Sequence, residues 1–196
     1  MHQWLYLLPI LAYLMGSVSS AIVLARILGL QDPRKVGSGN PGATNILRYG
    51  GKKVAALTLL GDIIKGVIPV VITRALTDDV TILALTALAA FLGHLYPVYF
   101  RFQGGKGVAT ALGVWSALNP WMGLALIATW VATAVITRFS SLSALVASFL
   151  APVYAWWLLP HLPYKVMATV MAVLLIWRHR SNIKRLLAGE EGRIGK

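Results

Sequence analysis

Residues 37–48 form a glycine-rich segment whose composition suits it to binding a phosphate group. Its glycines let the backbone turn freely and approach a ligand closely, and consecutive amides in such turns bind anions. Its one arginine adds a planar fork that matches a phosphate. The alternative interpretation is an ordinary polar loop with a helix cap. The candidate binding residues here are Ser38, Gly39, Asn40, Thr44, Asn45 and Arg48.

Residues 93–110, GHLYPVYFRFQGGKGVAT, contain a second glycine-rich stretch directly before an apolar run that predicts a helix. The amino terminus of a helix presents free amides and the positive end of the helix dipole, and both favour a phosphate. The spacing is not that of a nucleotide P-loop. A flexible turn with a lipid-facing lysine is the alternative. The candidates are His94, Gly104, Gly105, Lys106, Gly107 and Thr110.

Residues 177–186 form a third, basic segment that follows the last apolar run. At helical spacing Arg178, Asn182 and Arg185 share one face, and so do His179 and Asn182. Taken alone, the segment is better explained as a juxtamembrane basic helix that binds anionic lipid. All three segments fall on the same predicted side of the membrane.

The chain offers many anion-binding groups but few nucleophiles or bases. It contains no cysteine, which excludes thiolate chemistry. Neither a Ser-His-Asp arrangement nor a set of metal ligands can be assigned, so we expect no metal and no cofactor. This balance suits a reaction between phosphorylated partners, at least one of them already activated, as an acyl phosphate is. The protein would then position the partners and stabilise negative charge.

The composition requires a membrane. Hydrophobic residues make up 58% of the 196 residues and charged residues only 12%, with a mean hydropathy of +0.72. The net charge of +12 does not indicate a nucleic-acid-binding protein, because such a protein is not this apolar. No linker divides the chain, so we predict a single domain over residues 1–196. The apolar runs are roughly 4–25, 54–73, 80–100, 107–118, 121–137, 142–159 and 164–177.

These runs predict an all-α protein with seven transmembrane helices. Asn119-Pro120 interrupts the long apolar stretch 107–137, and proline ends or kinks helices. With a break there, the amino terminus lies outside and the carboxyl terminus in the cytoplasm. Only Arg74 and Lys165 then fall outside, which satisfies the positive-inside rule. Within one run, Asp62 and Lys65 are spaced to pair, or to anchor a cationic loop.

The three segments resemble those of the bacterial acyl-phosphate:glycerol-3-phosphate acyltransferases of the PlsY type. The resemblance covers essentially the whole chain. It rests on GSGNPGATNILR at 37–48, GHLYPVYFRFQGGKGVAT at 93–110 and RHRSNIKRL at 178–186, and DIIKG at 62–66 also matches. One departure is Gln103, where members often carry a lysine.

The resemblance implies that an acyl group passes from acyl phosphate to the 1-hydroxyl of glycerol 3-phosphate, giving lysophosphatidic acid and phosphate. Acyl-CoA would not be the donor, the acyl chain would lie between helices open to the membrane lipids, and the enzyme would reside in the bacterial inner membrane. By resemblance the loop 104–107 holds the acyl phosphate, while Ser38, Arg48, Lys106, His179 and Asn182 hold glycerol 3-phosphate or the phosphates around it. Asn40, Thr44, Asn45 and His94 would lie in or beside the site.

Two other functions remain open at this point. A transporter or flippase for a phosphorylated molecule would also need cationic loops, but it would place polar groups along a path through the membrane. The predicted outer side has few such groups. A lipid-binding scaffold would not need three glycine- or asparagine-bearing segments on one face.

Overall fold

The computed structural model describes residues 3–195, and these residues form ten α-helices and two short 3-10 turns, with no β-strand among them. Contacts divide the described chain into two compact units, with the boundary between Ala117 and Leu118. The single domain over 1–196 stays a prediction. The first unit holds α1 Leu7–Gly16, α2 Ser20–Ile27, α3 Ala43–Tyr49, α4 Gly51–Leu76, α5 Val80–Leu95 and most of α6 Val108–Leu118.

The first apolar run is not the continuous helix predicted over 4–25, because it breaks between α1 and α2 with a bend of 43°. Two serines account for the break. Ser17 Oγ donates to the carbonyl of Tyr13 at 2.8 Å, and Ser19 caps α2 by accepting from Ile22 N at 3.4 Å. Hydroxyl groups that bond to nearby backbone compete with the helix and favour its ends.

Two glycines allow α1 and α5 to pack closely. A Cβ built on Gly16 would overlap the backbone of Ala90, and one built on Gly93 would overlap the carbonyl of Tyr13. The start of α5 is fixed by Asp79, whose Oδ1 accepts from Thr81 N at 2.8 Å and from Ile82 N at 3.1 Å. The amino-terminal helix is therefore seated against α5, the helix that leads into the second glycine-rich segment.

The second unit holds α7 Pro120–Thr137, α8 Ser140–Leu158, α9 Leu162–Arg178 and α10 Arg180–Leu187. The break predicted at Asn119-Pro120 is confirmed. Asn119 Oδ1 accepts from Trp121 N at 2.9 Å and from Met122 N at 3.2 Å, and Pro120 is the first residue of α7. Asparagine at the cap followed by proline is a favoured helix start.

Four helical segments in the described chain are long and apolar enough to cross a membrane, and the bent α1–α2 pair would make a fifth. They are Gly51–Leu76, Val80–Phe100, Pro120–Thr137 and Ser140–Leu158. Large apolar side chains such as Trp157 and Ile136 are 83% and 82% exposed, which a hydrocarbon solvent accommodates and water does not. The protein is therefore an all-α, multi-pass membrane protein. Seven spans and the orientation of the termini stay predictions.

Candidate active site

Asn45 holds the first glycine-rich segment in shape. It is 2% exposed, and its Nδ2 donates to the carbonyls of Pro33 at 2.9 Å and Val36 at 3.0 Å. Its Oδ1 accepts from Ser38 N at 2.9 Å. Both the nitrogen and the oxygen of this side-chain amide, which was predicted to contact substrate, therefore form hydrogen bonds within its own loop. In this arrangement the Asn45 side chain stabilises the shape of the loop and does not point out of it.

The other candidates of this segment lie nearer the surface. Ser38 and Gly39 are exposed in the loop, and Asn40 is half-buried. Gly37 and Gly39 have φ of +57° and +68°, the left-handed region that favours glycine. Thr44 lies in the first turn of α3 and Arg48 in its last, and both are exposed. Four residues apart, they share one helix face.

Arg34 joins the first segment to the second, a connection that the sequence analysis missed. Its Nε and Nη2 donate to the carboxylate of Asp32 at 3.0 and 2.6 Å, and its Nη1 donates to the carbonyl of Phe100 at 3.4 Å. The hydrogen bond from Arg34 holds the pKa of Asp32 below its usual value. The Asp-Pro-Arg sequence suggests a local pair, but nothing in it points to residue 100.

The second segment is folded back onto the end of α5. Gly105 N donates to the carbonyl of His94 at 3.1 Å. A Cβ built on Gly104 would overlap that carbonyl, and one built on Gly105 would overlap the His94 ring. Gly107 has a φ of +92°. Close packing against His94 thus requires glycine at positions 104 and 105, and the backbone conformation favours glycine at position 107. The loop therefore has a defined shape.

The predicted helix start after this loop is confirmed, since α6 begins at Val108. Lys106 is half-buried at the amino-terminal end of that helix. Thr110 is fully buried in its first turn, and among the described residues its hydroxyl has no hydrogen-bond partner. A positive side chain and a helix amino terminus therefore stand together, as the sequence predicted for a phosphate.

The predicted pairing of Asp62 with Lys65 is also confirmed. Lys65 Nζ lies 3.0 Å from Asp62 Oδ1, and both side chains are buried. The ammonium also donates to the carbonyl of Val18 at 2.8 Å, at the bend between α1 and α2. His94 Nδ1 lies 3.7 Å from the same carboxylate oxygen.

The third segment differs from its prediction in one respect. It is not one continuous helix, because α9 ends at Arg178, α10 begins at Arg180, and His179 lies between them. Arg178 therefore does not share a helix with Asn182. His179 is 3% exposed, and its Nδ1 lies 2.8 Å from the carbonyl of Leu175. In the neutral ring that contact places the proton on Nδ1 and the lone pair on Nε2.

Asn182 and Arg185 do share a face, and both bind Glu191. Asn182 Nδ2 donates to Glu191 Oε1 at 2.6 Å and Arg185 Nε donates to Glu191 Oε2 at 2.7 Å, while Ser141 Oγ also donates to Oε1 at 2.6 Å. Burial raises the pKa of Glu191, but these hydrogen bonds outweigh burial and hold that pKa below its usual value. Nothing in the sequence predicts a role for Glu191, because a glutamate in a polar tail forms no recognisable pattern.

The fold and the loops thus define a multi-pass membrane protein with two glycine-rich, cationic segments, which we predict to bind phosphate. No group of three or more His, Cys, Asp or Glu side chains over residues 3–195 is placed to hold a metal ion. The first two segments belong to the first unit and the third to the second unit. That all three share one pocket stays a prediction.

Comparison with known proteins gives the family. A family model described as glycerol-3-phosphate acyltransferase matches residues 6–189. A glycerol-3-phosphate acyltransferase of Thiobacillus denitrificans is 57% identical over 97% of each chain, and one of Bordetella pertussis is 55% identical over 96% of this chain and 91% of its own. The chain belongs to the glycerol-3-phosphate acyltransferase family.

Two crystal structures of PlsY, an integral membrane glycerol 3-phosphate acyltransferase, have the same fold. The glycerol 3-phosphate form matches with a TM-score of 0.93 and 43% identity, covering 97% of this chain and 96% of that one. The lysophosphatidic acid form matches with a TM-score of 0.90 and 41% identity, covering 97% and 95%. The resemblance inferred from the three sequence motifs is confirmed.

Proposed function

We propose that this chain transfers a fatty acyl group from acyl phosphate to the 1-hydroxyl of glycerol 3-phosphate, at the cytoplasmic face of the bacterial inner membrane. The products are lysophosphatidic acid and inorganic phosphate, and the reaction would be the first step of phospholipid synthesis. The glycerol 3-phosphate and lysophosphatidic acid forms of PlsY support the acceptor and the product. Acyl phosphate as donor rests on the resemblance and on the scarcity of nucleophiles in the chain.

One observation carries the proposal, namely the Gly104–Gly107 loop folded onto the end of α5 with Lys106 at the start of α6. The loop backbone approaches His94 so closely that no side chain fits at Gly104 or Gly105. Such a loop can offer amides to a phosphate while Lys106 neutralises its charge. We assign it the phosphate of the acyl donor.

The chemistry then requires positioning and charge stabilisation rather than a protein nucleophile. The 1-hydroxyl oxygen attacks the acyl carbon and a new ester C–O bond forms. The bond between the acyl carbon and the phosphate oxygen breaks, the departing phosphate keeps the electron pair, and it accepts the hydroxyl proton. Lys106 and Arg48 stabilise the charge that develops on the oxygens.

The third segment completes the site in this proposal. His179 and Asn182 would bind glycerol 3-phosphate together with Ser38 and Arg48. The contact of His179 Nδ1 with Leu175 fixes the ring, so that Nε2 can accept a hydrogen bond from a substrate hydroxyl. With His179→Asn, a mainly raised KM for glycerol 3-phosphate indicates binding, whereas an unchanged KM with a large loss of kcat indicates proton transfer.

We further propose seven spans, with α6 and the 17-residue α9 added to the five candidates. The amino terminus would lie outside and the carboxyl terminus in the cytoplasm, as the positive-inside rule requires. Because the chain has no cysteine, each introduced cysteine is the only thiol. Asp78→Cys and His161→Cys should react with an impermeant maleimide in intact cells, and Lys52→Cys and Ser181→Cys only after lysis. A reversed pattern would refute this orientation.

The function itself is tested with purified protein, palmitoyl phosphate and glycerol 3-phosphate. We expect phosphate release matched by lysophosphatidic acid formation without CoA. Lys106→Ala and Arg48→Ala should each lower activity at least tenfold, which is about 1.4 kcal/mol in the barrier. Arg74→Ala removes the same charge from the predicted outer end of α4 and should leave activity near the wild-type level.

The runner-up function gives a different result in the same preparation. A transporter would move glycerol 3-phosphate into vesicles without forming product, and that outcome would overturn the enzymatic proposal. Wild-type turnover in both Lys106→Ala and Arg48→Ala would remove these two residues from the site but leave the reaction intact.

A further inference from the structure

Three ionisable side chains lie buried on α4 and α5. Asp62 is 2% exposed, and Lys65 and His94 are each 6% exposed. Charges inside a membrane protein are costly and are kept where they have a partner or a task. Lys65 already neutralises Asp62 at 3.0 Å and is itself held by the carbonyl of Val18 at 2.8 Å. The charges of Asp62 and Lys65 therefore neutralise each other without a contribution from His94.

His94 lies between Asp62 and the glycine loop. Its Nδ1 faces Asp62 Oδ1 at 3.7 Å, the same oxygen that holds Lys65. The opposite side of the ring, with Nε2 and Cε1, packs against Gly105, where a built Cβ would overlap it. The carbonyl of His94 accepts from Gly105 N at 3.1 Å. One residue thus contacts the buried carboxylate on one side and the loop backbone on the other.

The start of α6, which follows the loop, packs on the α4 segment that carries Asp62. A Cβ built on Gly66 would overlap the carbonyl of Thr110, and one built on Gly113 would overlap the carbonyl of Ile63. The first two turns of α6 therefore lie directly on α4 around Asp62. The chain leaves α5 next to His94, and the start of α6 then packs on α4 within about one helical turn of Asp62.

We propose that Asp62 is a positioning residue for the acyl transfer. Through His94 it fixes the Gly104–Gly107 loop in the conformation that holds the substrate phosphate, and Lys65 neutralises and orients the carboxylate. The proposal rests on the function proposed above. Asp62 does not touch substrate in this account, so its removal should weaken the capture of a phosphate more than it changes turnover at saturation.

The test is a comparison of kinetic constants in Asp62→Asn. We expect the KM for acyl phosphate or for glycerol 3-phosphate, each titrated at saturating partner, to rise at least fivefold while kcat stays within threefold. A merely structural role predicts the reverse, with less active protein and a lower melting temperature but unchanged KM values. If both KM values match the wild type in folded Asp62→Asn, the proposal is overturned.

Asp62→Asn leaves the ammonium of Lys65 buried without its partner, which can itself prevent folding. The double variant Asp62→Asn/Lys65→Met removes both charges together and should fold. It should show the same rise in KM. The matched control is Thr86→Val, an equally buried change on α5, whose hydroxyl has no hydrogen-bond partner among the described residues. Its KM values should equal those of the wild type.

A double-mutant cycle tests the route through His94. In a His94→Gln background, adding Asp62→Asn should raise KM by less than twofold further, because the connection to the loop is already lost. Full additivity would overturn the proposal. Thermal stabilisation by glycerol 3-phosphate alone or by palmitoyl phosphate alone measures binding without turnover. The substrate concentration that gives half-maximal stabilisation should rise in the variants as KM does. An inactive wild type refutes the proposed function, whereas an unshifted midpoint in the folded Asp62 variants refutes the positioning role.

Discussion

Gly105 packs against the imidazole ring of His94 so closely that the smallest possible side chain at residue 105 would overlap Nε2. Eleven positions separate the two residues, and the carbonyl of His94 also accepts from Gly105 N at 3.1 Å. The absence of a side chain at Gly105 is therefore a packing requirement as well as a source of flexibility. It makes the shape of the Gly104–Gly107 loop, the proposed phosphate-binding loop, dependent on α5.

Gly105→Ala should lower kcat/KM at least tenfold, because the loop must move away from His94 to accommodate the methyl group. The overlap is with a buried ring and cannot be relieved by a flexible chain end. Steady-state kinetics of the purified variant would measure the effect. Gly29→Ala is the control, since a Cβ there meets open space and costs only backbone strain, about 1–2 kcal/mol. Equal activity of the two variants would contradict this account of the loop.

Arg34→Ala should lower kcat/KM three- to tenfold, since Arg34 ties the first segment to the carbonyl of Phe100 at 3.4 Å. Lys35→Ala is the matched comparison, because it removes the same charge from the next, exposed position. If the role of Arg34 were only electrostatic, the two variants would lose activity alike. A selective loss in Arg34→Ala indicates that the connection between the segments matters.

Glu191→Gln should lower the melting temperature, because the new amide nitrogen cannot accept from Arg185. Losing a hydrogen bond to a charged group costs about 1.5–3 kcal/mol. The pKa of Glu191 is lower in the folded protein than its ordinary value of 4.5. Its contribution is therefore present above pH 4.5 and is lost as the pH falls through the lower, folded value.

Melting curves in detergent, measured from pH 7 down to the lowest pH at which the protein stays folded, would check this dependence. The wild type should lose stability on acidification in part through Glu191, and Glu191→Gln should show a smaller loss over the same range. Glu190→Gln, at the neighbouring exposed position, should behave as the wild type does. Parallel curves for wild type and Glu191→Gln would show that the carboxylate does not stabilise the fold.

Thr58→Val should lower the stability of the protein, whereas Thr86→Val should not. Both threonines are fully buried, but Thr58 Oγ1 donates to the carbonyl of Val54 at 2.8 Å, whereas Thr86 Oγ1 has no partner among the described residues. Replacing a buried group that makes no hydrogen bond is neutral or stabilising, and removing one that does costs about 0.5–1.5 kcal/mol. Thermal denaturation in one detergent would rank the two variants. The reverse order would contradict these hydrogen-bond assignments.

The sequence alone predicted those structural features that depend on a short stretch of the chain. The break at Asn119-Pro120 follows from the cap and from the missing proline N–H, and the pairing of Asp62 with Lys65 follows from their spacing on one helix. The start of α6 after the second glycine-rich segment follows from glycines placed directly ahead of an apolar run. Composition alone required a membrane. In each case the interacting residues lie within one helical turn or one apolar run, so their geometry is nearly fixed before tertiary packing.

Only the tertiary structure decided which residues meet across the chain. Arg34 reaches Phe100 and Asn182 reaches Glu191, contacts that no pattern in the sequence encodes. Packing also directs the Asn45 side chain into its own loop, where it forms hydrogen bonds to the backbone. It places His94 between Asp62 and Gly105. The serines at 17 and 19 bend a run that is mostly apolar by composition. Periodicity and composition specify that a helix or loop forms, but its partners depend on how the helices pack.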